Sequence, residues 1–389
     1  RVKAAVKYVL NTAAANGDCY LPKERLIAQA VDLLQLHPLA IENAIRDLQV
    51  NSQLLQEKLN GEDCVYLNYY FYAEMSVAKR LLELSAEYDA PNMESVATEI
   101  ARVEKETGVV LAEEQRAAVA EALSCGVLII TGGPGTGKTT TINTILRILK
   151  KEDMDVVLAA PTGRAAKRMT EATGMEAQTI HRLLGISFIG EDSRRQTFDK
   201  NEENPIEADV IIIDESSMVD IVLMQALLRA VESGSRIIFV GDVDQLPSVG
   251  AGNVLKDMIR SERLKVVRLQ HVFRQAQESA IIMNAHRINQ GEEPVLNEEG
   301  TDFFFMRRAY ADEVAGTIRE LVTKRLPKFT GCDGLQDMQI LTPMRKGTLG
   351  VQNLNQVLQQ TLNPAAPDKR EVQFRQITFR EGDKVMQIK

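Results

Sequence analysis

The stretch VLIITGGPGTGKTTTINTILRILKK, residues 127–151, constrains the fold more than any other part of the chain. An apolar run, Val127 to Ile130, leads into a glycine-rich turn. A helical pattern follows, with Ile142, Ile145, Ile148 and Leu149 on one side. The turn from Gly132 to Thr139 fits G-x-x-x-x-G-K-[ST] without a mismatch. Strand, glycine-rich loop and helix in this order make a phosphate cradle. Gly133, Gly135 and Gly137 let backbone N–H groups curl around the anion, with Thr136 and Thr140 in the same loop and first helical turn. The helix N-terminus adds the positive end of its dipole. Lys138 is expected to reach the β- and γ-phosphates of ATP, and the Thr139 hydroxyl to sit on Mg²⁺.

The rest of the chain has the pattern that such a loop requires. From residue 91 onward, helical periods alternate with short β-branched runs at Val127–Thr131, Val156–Ala160, Val210–Ile213, Ile237–Val240 and Val266–Leu269. None alternates apolar with polar, which is how strands read when both faces of a sheet are covered. The expectation is a mostly parallel sheet with right-handed crossovers and ligands at the carboxyl ends of the strands. This first α/β domain is expected over 91–275. It carries a hairpin insertion at 186–205, where ISFIG and RRQTFDK flank Glu191-Asp192-Ser193. Residues 1–90 read as a smaller α+β domain. Ile41, Ala44, Ile45 and Leu48 form one apolar helix face, and QLLQEKL and CVYLN flank a turn at Asn60-Gly61. Helix, helix, hairpin suggests a winged-helix-like unit. The helix in the recognition position has only Arg46 as a cation, which favours docking over DNA contact. A third region, 276–389, has strand candidates Phe303–Met306 and Met338–Thr342 and helices around 311–325 and 350–361.

Composition narrows the function classes. At 389 residues, with 44% hydrophobic and 26% charged residues, the chain suits a soluble protein of two or three domains. No apolar run is long enough for a bilayer, and no membrane role is expected. Cys19, Cys64, Cys125 and Cys332 lie far apart and the four His are scattered, so neither a zinc site nor a disulfide framework is expected. Reducing cytoplasm is the expected compartment. The formal charge of -8 gives bulk electrostatics no part in nucleic-acid binding. The chain starts at Arg1 and goes straight into a helical pattern, which reads as part of something longer.

Two further strand ends carry chemistry. Val210–Ile213 runs into Asp214-Glu215, the Walker B arrangement. Asp214 would hold Mg²⁺ and Glu215 would orient and deprotonate the attacking water. After Ile237–Val240, Gln245 lies where a side-chain amide can sense the γ-phosphate. Upstream of the cradle, Gln115 offers an amide that can pair with adenine N6 and N7. Between 160 and 182, Arg164, Lys167, Arg168 and Arg182 outnumber Glu171 and Glu176, a locally basic track in an acidic chain.

Taken in order, GGPGTGKTT, APTGRAAKRM, TIHRLLG, IIIDESSMVD, GDVDQLPSVG and HVFRQ resemble the motifs of superfamily 1 helicases. They are closest in wording to the RecD-like type that stands alone in bacteria. The resemblance covers roughly 95–389. It implies two RecA-like domains, the second only partly present here, preceded by a winged-helix-like unit. It implies ATP-driven 5′→3′ movement on single-stranded DNA, action at single-strand/duplex junctions, and a repair or recombination setting with repair-protein partners. By the same resemblance Thr162, Gly163 and Arg164 grip the DNA backbone. Thr179 and His181 form a second DNA contact, and Thr342, with Arg345, a third. Arg274 reaches the γ-phosphate, and the 186–205 hairpin is the pin that parts the duplex, with Phe188 and Phe198 either stacking on a base pair or packing the hairpin. Later helicase motifs are absent before the chain stops at GDKVMQIK. That makes the chain read as most of a motor, with weak ATP turnover expected. Two other readings compete: a nucleotide-gated DNA-binding adaptor without motor activity, and a subunit of a nuclease complex.

Overall fold

The N-terminal pattern becomes a small three-helix module in the computed structural model, which describes residues 1–86, 93–187, 197–298, 300–375 and 377–385. Helices α1 (Val2–Ala15), α2 (Lys23–Leu34) and α3 (Pro38–Val50) pack around Val6, Leu10, Leu26, Ile41, Ile45 and Leu48. Strand β1 (Tyr20–Pro22) joins the hairpin β2 (Leu54–Leu59) and β3 (Glu62–Leu67) in an antiparallel sheet of order β1-β3-β2. The hairpin closes through Asn60 and Gly61 at φ 50° and 90°, both left-handed, as a two-residue turn between twisted strands demands.

Helix α4 (Asn68–Ala86) then ties this module to the main sheet. Its buried face, Ala73, Val77, Leu81 and Leu84, packs on Leu223, Met224, Leu227 and Leu228 of a later helix. Each such buried aliphatic side chain contributes about 1.5–3 kcal/mol of transfer free energy. Arg80 adds a hydrogen bond to the Val231 carbonyl at 2.8 Å.

Helices α5 (Met93–Thr107) and α6 (Glu113–Ser124) lead into β4 (Val127–Gly132) and α7 (Lys138–Lys151). Next come β5 (Val156–Ala160), α8 (Gly163–Thr173), β6 (Ala177–Thr179), α9 (Ile180–Leu183), and the paired ends of a hairpin, β7 (Ile186–Ser187) and β8 (Thr197–Phe198). The unit continues with β9 (Val210–Ile213), α10 (Ile221–Arg229), β10 (Arg236–Gly241), α11 (Val254–Arg260), β11 (Lys265–Leu269), α12 (Arg274–Gln277) and α13 (Ala280–Asn289). Six strands form one parallel sheet in the order β11-β4-β10-β9-β5-β6. The continuous apolar runs are explained by its two covers. Val127, Ile129, Ile211, Ile213, Ile237 and Phe239 face α4, α10 and α11. Leu128, Ile130, Val210, Ile212, Ile238 and Val240 face α5, α6 and α7. The five anticipated runs are all strands of this α/β sheet. The sixth, β6, is three half-buried residues that carry no such pattern.

The chain divides into two compact units, Arg1–Phe303 and Phe304–Lys389. Residues 276–303, assigned by sequence to the later domain, therefore belong to the first unit. In the second unit, α14 (Ala311–Glu320) continues through a π-helical turn, Leu321–Arg325, into α15 (Leu326–Thr330). Helix α16 (Val351–Leu362) and the antiparallel pair β12 (Glu371–Phe374) and β13 (Ile377–Arg380) complete it. The anticipated strands Phe303–Met306 and Met338–Thr342 lie outside any ladder. An apolar run becomes a strand only beside a partner, and the described residues of this unit supply just the one antiparallel pair. No helix among the described residues is long and apolar enough to cross a membrane.

Candidate functional site

The cradle, Asp214-Glu215, Gln245 and the Thr162 and Thr179 segments follow the carboxyl ends of strands in one sheet, because parallel strands deliver every carboxyl end to the same side. Strand β4 ends at the cradle. Gly137 has φ 79°, and a Cβ built there would lie 2.4 Å from Gln115 Nε2, so glycine is required on both counts. Thr136 is buried and its hydroxyl donates to the Gly133 carbonyl at 2.8 Å. The Lys138 ammonium folds back on the loop, donating to the carbonyls of Gly132 at 2.5 Å and Gly133 at 3.1 Å. Phosphate oxygens would take over these bonds. Thr139 is exposed at the first turn of α7 and Thr140 is half-buried beside it.

Gln115 is 1% exposed. Its Oε1 accepts from the Ala112 N–H at 3.0 Å and its Nε2 donates to the Gly137 carbonyl at 3.1 Å. In this arrangement the amide fixes the start of α6 to the loop rather than presenting itself to a base.

Strand β9 lies next to β5, with Asp214 N–H donating to the Ala159 carbonyl at 2.9 Å. The Asp214 carboxylate accepts from the Glu215 N–H at 2.8 Å. Glu215 has φ 52°, a left-handed conformation that L side chains rarely adopt and that concentrates at functional sites. Burial pushes the Asp214 carboxyl above its ordinary value, against the pull of Lys138 and Arg168. Burial also raises Glu215, and the neighbouring Asp214 charge adds to it. A carboxyl so raised is a better proton acceptor. Strand β10 runs between β4 and β9 and places Asp242, buried, between the two motifs. Asp242 holds the Asp244 N–H at 3.1 Å, and the exposed Gln245 amide lies 3.4 Å from its other oxygen.

Next along the edge, β5 and β6 pair Ala160 with Thr179. This register brings the Thr162 and Thr179 segments together. Thr162 caps α8, its hydroxyl accepting from the Ala165 N–H at 3.2 Å. Gly163 has open space above it and Arg164 is exposed. Thr179 caps α9 in the same way, accepting from the Arg182 N–H at 3.1 Å. The His181 ring lies 6.1 Å from that of Phe198. Phe198 packs on the core beside the sheet, which favours its packing role at the hairpin base. Phe188 and residues up to 196 lie outside the described residues, as does the Arg274 side chain. In the second unit the Thr342 hydroxyl donates to the Leu349 carbonyl at 2.6 Å and Arg345 is exposed in the turn before α16.

Several further contacts tie the strand ends and loops of the site together. Ser216 Oγ donates to the Val240 carbonyl at 2.6 Å, linking the ends of β9 and β10. Thr131 Oγ1 accepts from the Val243 N–H at 3.2 Å, linking β4 to the Gln245 loop. The Glu114 carboxylate accepts from the Gln270 and His271 N–H groups at 3.0 and 3.1 Å. Among the described residues no group of three or more His, Cys, Asp or Glu side chains could hold a metal ion. The hydroxyl of Thr139 and the carboxylate of Asp214 suit Mg²⁺, which takes few protein ligands and fills its shell with phosphate oxygens and water.

Residues 110–303 match the family model described as AAA domain. The whole chain aligns at 34% identity over 400 residues with the ATP-dependent RecD2 DNA helicase of Deinococcus radiodurans, covering 52% of that protein. Over its whole length the chain is therefore similar to a RecD-like helicase. Shorter alignments to RecD subunits reach higher identity. The RecBCD enzyme subunit RecD of Mycolicibacterium smegmatis is 43% identical over 170 residues, 38% of this chain and 30% of that one. The Haemophilus influenzae RecBCD subunit RecD is 37% identical over 168 residues, 37% and 26% of the respective chains. This RecD-like chain thus spans about half the length of the first relative and under a third of the other two.

Proposed function

We propose that the chain carries the ATP-hydrolysing, single-strand-gripping part of a DNA helicase that moves 5′→3′ in repair or recombination. The observation that supports this most is the shared sheet edge. The phosphate cradle, the Asp214-Glu215 pair and the Thr162/Thr179 segments end strands β4, β9, β5 and β6. Asp214 is one hydrogen bond from the strand that leads to Thr162. A change at the γ-phosphate therefore has a short, packed route to the DNA-facing caps.

In this reading Lys138 leaves the Gly132 and Gly133 carbonyls for the β- and γ-phosphates of ATP. Glu215, its carboxyl raised, takes the proton of the attacking water. Gln245 reports the γ-phosphate and Arg274 stabilises its charge. Bound Mg²⁺ supplies neutralisation of the phosphate charge, with Thr139 and Asp214 holding it. Arg164 and the two capped helix starts track the phosphates of single-stranded DNA, and Thr342 and Arg345 of the second unit are DNA-backbone contacts in their own right. The hairpin from 186 to 205 meets the duplex at the junction.

The test is steady-state ATP hydrolysis by the full-length protein with and without oligonucleotide. Turnover that rises with single-stranded DNA and vanishes in Lys138→Ala supports the motor. ATP binding with turnover indifferent to DNA would make the protein a nucleotide-gated adaptor.

A further inference from the structure

Four successive carbonyls of the cradle each have a donor. Gly132 and Gly133 are served from within the loop by Lys138 and Thr136. Pro134 and Gly135 are served from the segment after β11. His286 Nε2 lies 3.1 Å from the Pro134 carbonyl, and the Phe273 N–H donates to the Gly135 carbonyl at 3.2 Å. A carbonyl only accepts, so Nε2 carries the imidazole proton. The ring also sits against the loop: a Cβ built on Gly133 would lie 2.7 Å from His286 Cε1.

Helix α13 holds that ring in place. Ser279 caps it, accepting from the Ile282 N–H at 3.3 Å, and Asp302 accepts from Ser279 Oγ at 2.6 Å and from the Ile281 N–H at 3.0 Å. Asn284, one turn along, is buried and pairs with the backbone of Val295 through both amide atoms, at 2.8 and 2.7 Å.

We propose that His286 is a positioning residue for the nucleotide cradle, an inference that rests on reading the loop as an ATP site. The peptide group is planar, so fixing a carbonyl fixes the N–H that follows it. Holding the Pro134 carbonyl outward sets the Gly135 N–H, and holding the Gly135 carbonyl sets the Thr136 N–H. These are groups that a phosphate cradle must aim inward before the anion arrives. His286 is thereby a clamp on the outer side of the loop. It also couples the cradle to the segment that carries Arg274, because α12 and α13 follow Phe273 directly.

The experiment compares wild type, His286→Ala, His286→Gln and Lys138→Ala in the full-length protein. Amide hydrogen exchange of peptides spanning 131–140 is read without nucleotide, and affinity is read with Mg²⁺ and a fluorescent ADP analogue. Loss of one hydrogen bond predicts affinity about three- to tenfold weaker in His286→Ala, together with faster exchange over the loop. Gln keeps an N–H donor and should return both readings to within about twofold of wild type. Unchanged exchange and affinity in His286→Ala, tighter binding, or a Gln variant that behaves like Ala would overturn the clamp. Equal affinity in wild type and Lys138→Ala would sink the nucleotide-site reading instead, a failure separate from an unchanged exchange rate in His286→Ala.

Discussion

Glu215 combines three unfavourable conditions: a left-handed backbone, burial, and a like charge at Asp214. Structures keep such a residue where chemistry needs it. Glu215→Gln should bind ATP normally and lose hydrolysis, read by nucleotide binding beside steady-state turnover. Normal turnover in that variant would remove Glu215 as the base. The same residue predicts a pH effect. Its folded carboxyl is raised above the unfolded value, so between those two values the native state binds more protons than the unfolded state. Stability then falls as pH rises through that window, from the ordinary carboxylate range upward, and stays reduced above it. Asp214, Glu74 and Asp257 are raised by burial as well and act in the same direction. Glu215→Gln should therefore melt higher than wild type at neutral pH, by on the order of 2 °C, and converge with it in acid. A thermal melt series against pH checks this, and a variant that melts lower at neutral pH would contradict the burial argument.

At the scale of elements, the caps of α8 and α9 lie side by side because β5 and β6 pair in parallel. Arg164 sits two residues after the first cap, Thr162. Arg164→Ala should weaken single-strand binding about equally for all sequences and flatten the salt dependence by roughly one counterion. An unchanged slope in fluorescence anisotropy titrations over a salt series would take Arg164 off the track. How much of this was legible in sequence depends on whether the information is local. Val210–Ile213 and Ile237–Val240 announce buried strands, because two covered faces leave no place for polar residues. The cradle is legible because its spacing is its mechanism. Ala177–Thr179 was missed, being three residues with no apolar run. Phe303–Met306 and Met338–Thr342 were misread, because an apolar run does not say whether a neighbouring strand exists. Gln115 reads in sequence as an adenine contact, whereas its burial and its bond to Gly137 depend on a fold-back of α6 that no period encodes. His286 is the extreme case, since its contact with Pro134 joins residues far apart along the chain.

At the scale of the whole first unit, α4 makes the N-terminal module part of the parallel sheet's core rather than a tethered appendage. Leu81 is 3% exposed within the cluster that also holds Ile211, Ile213 and Phe239. Leu81→Ala should destabilise the unit by about 2–5 kcal/mol, and the module and sheet should still unfold together in a denaturant titration. Separate transitions for the two would show that the interface carries little energy. The central claim is that nucleotide state at β4 and β9 sets the grip at β5 and β6. It is tested most directly by single-stranded DNA affinity measured on Glu215→Gln held with MgATP and with MgADP in the full-length protein. Typical coupling between linked sites predicts affinities that differ by about fivefold or more between the two nucleotides. Identical affinities would contradict the account.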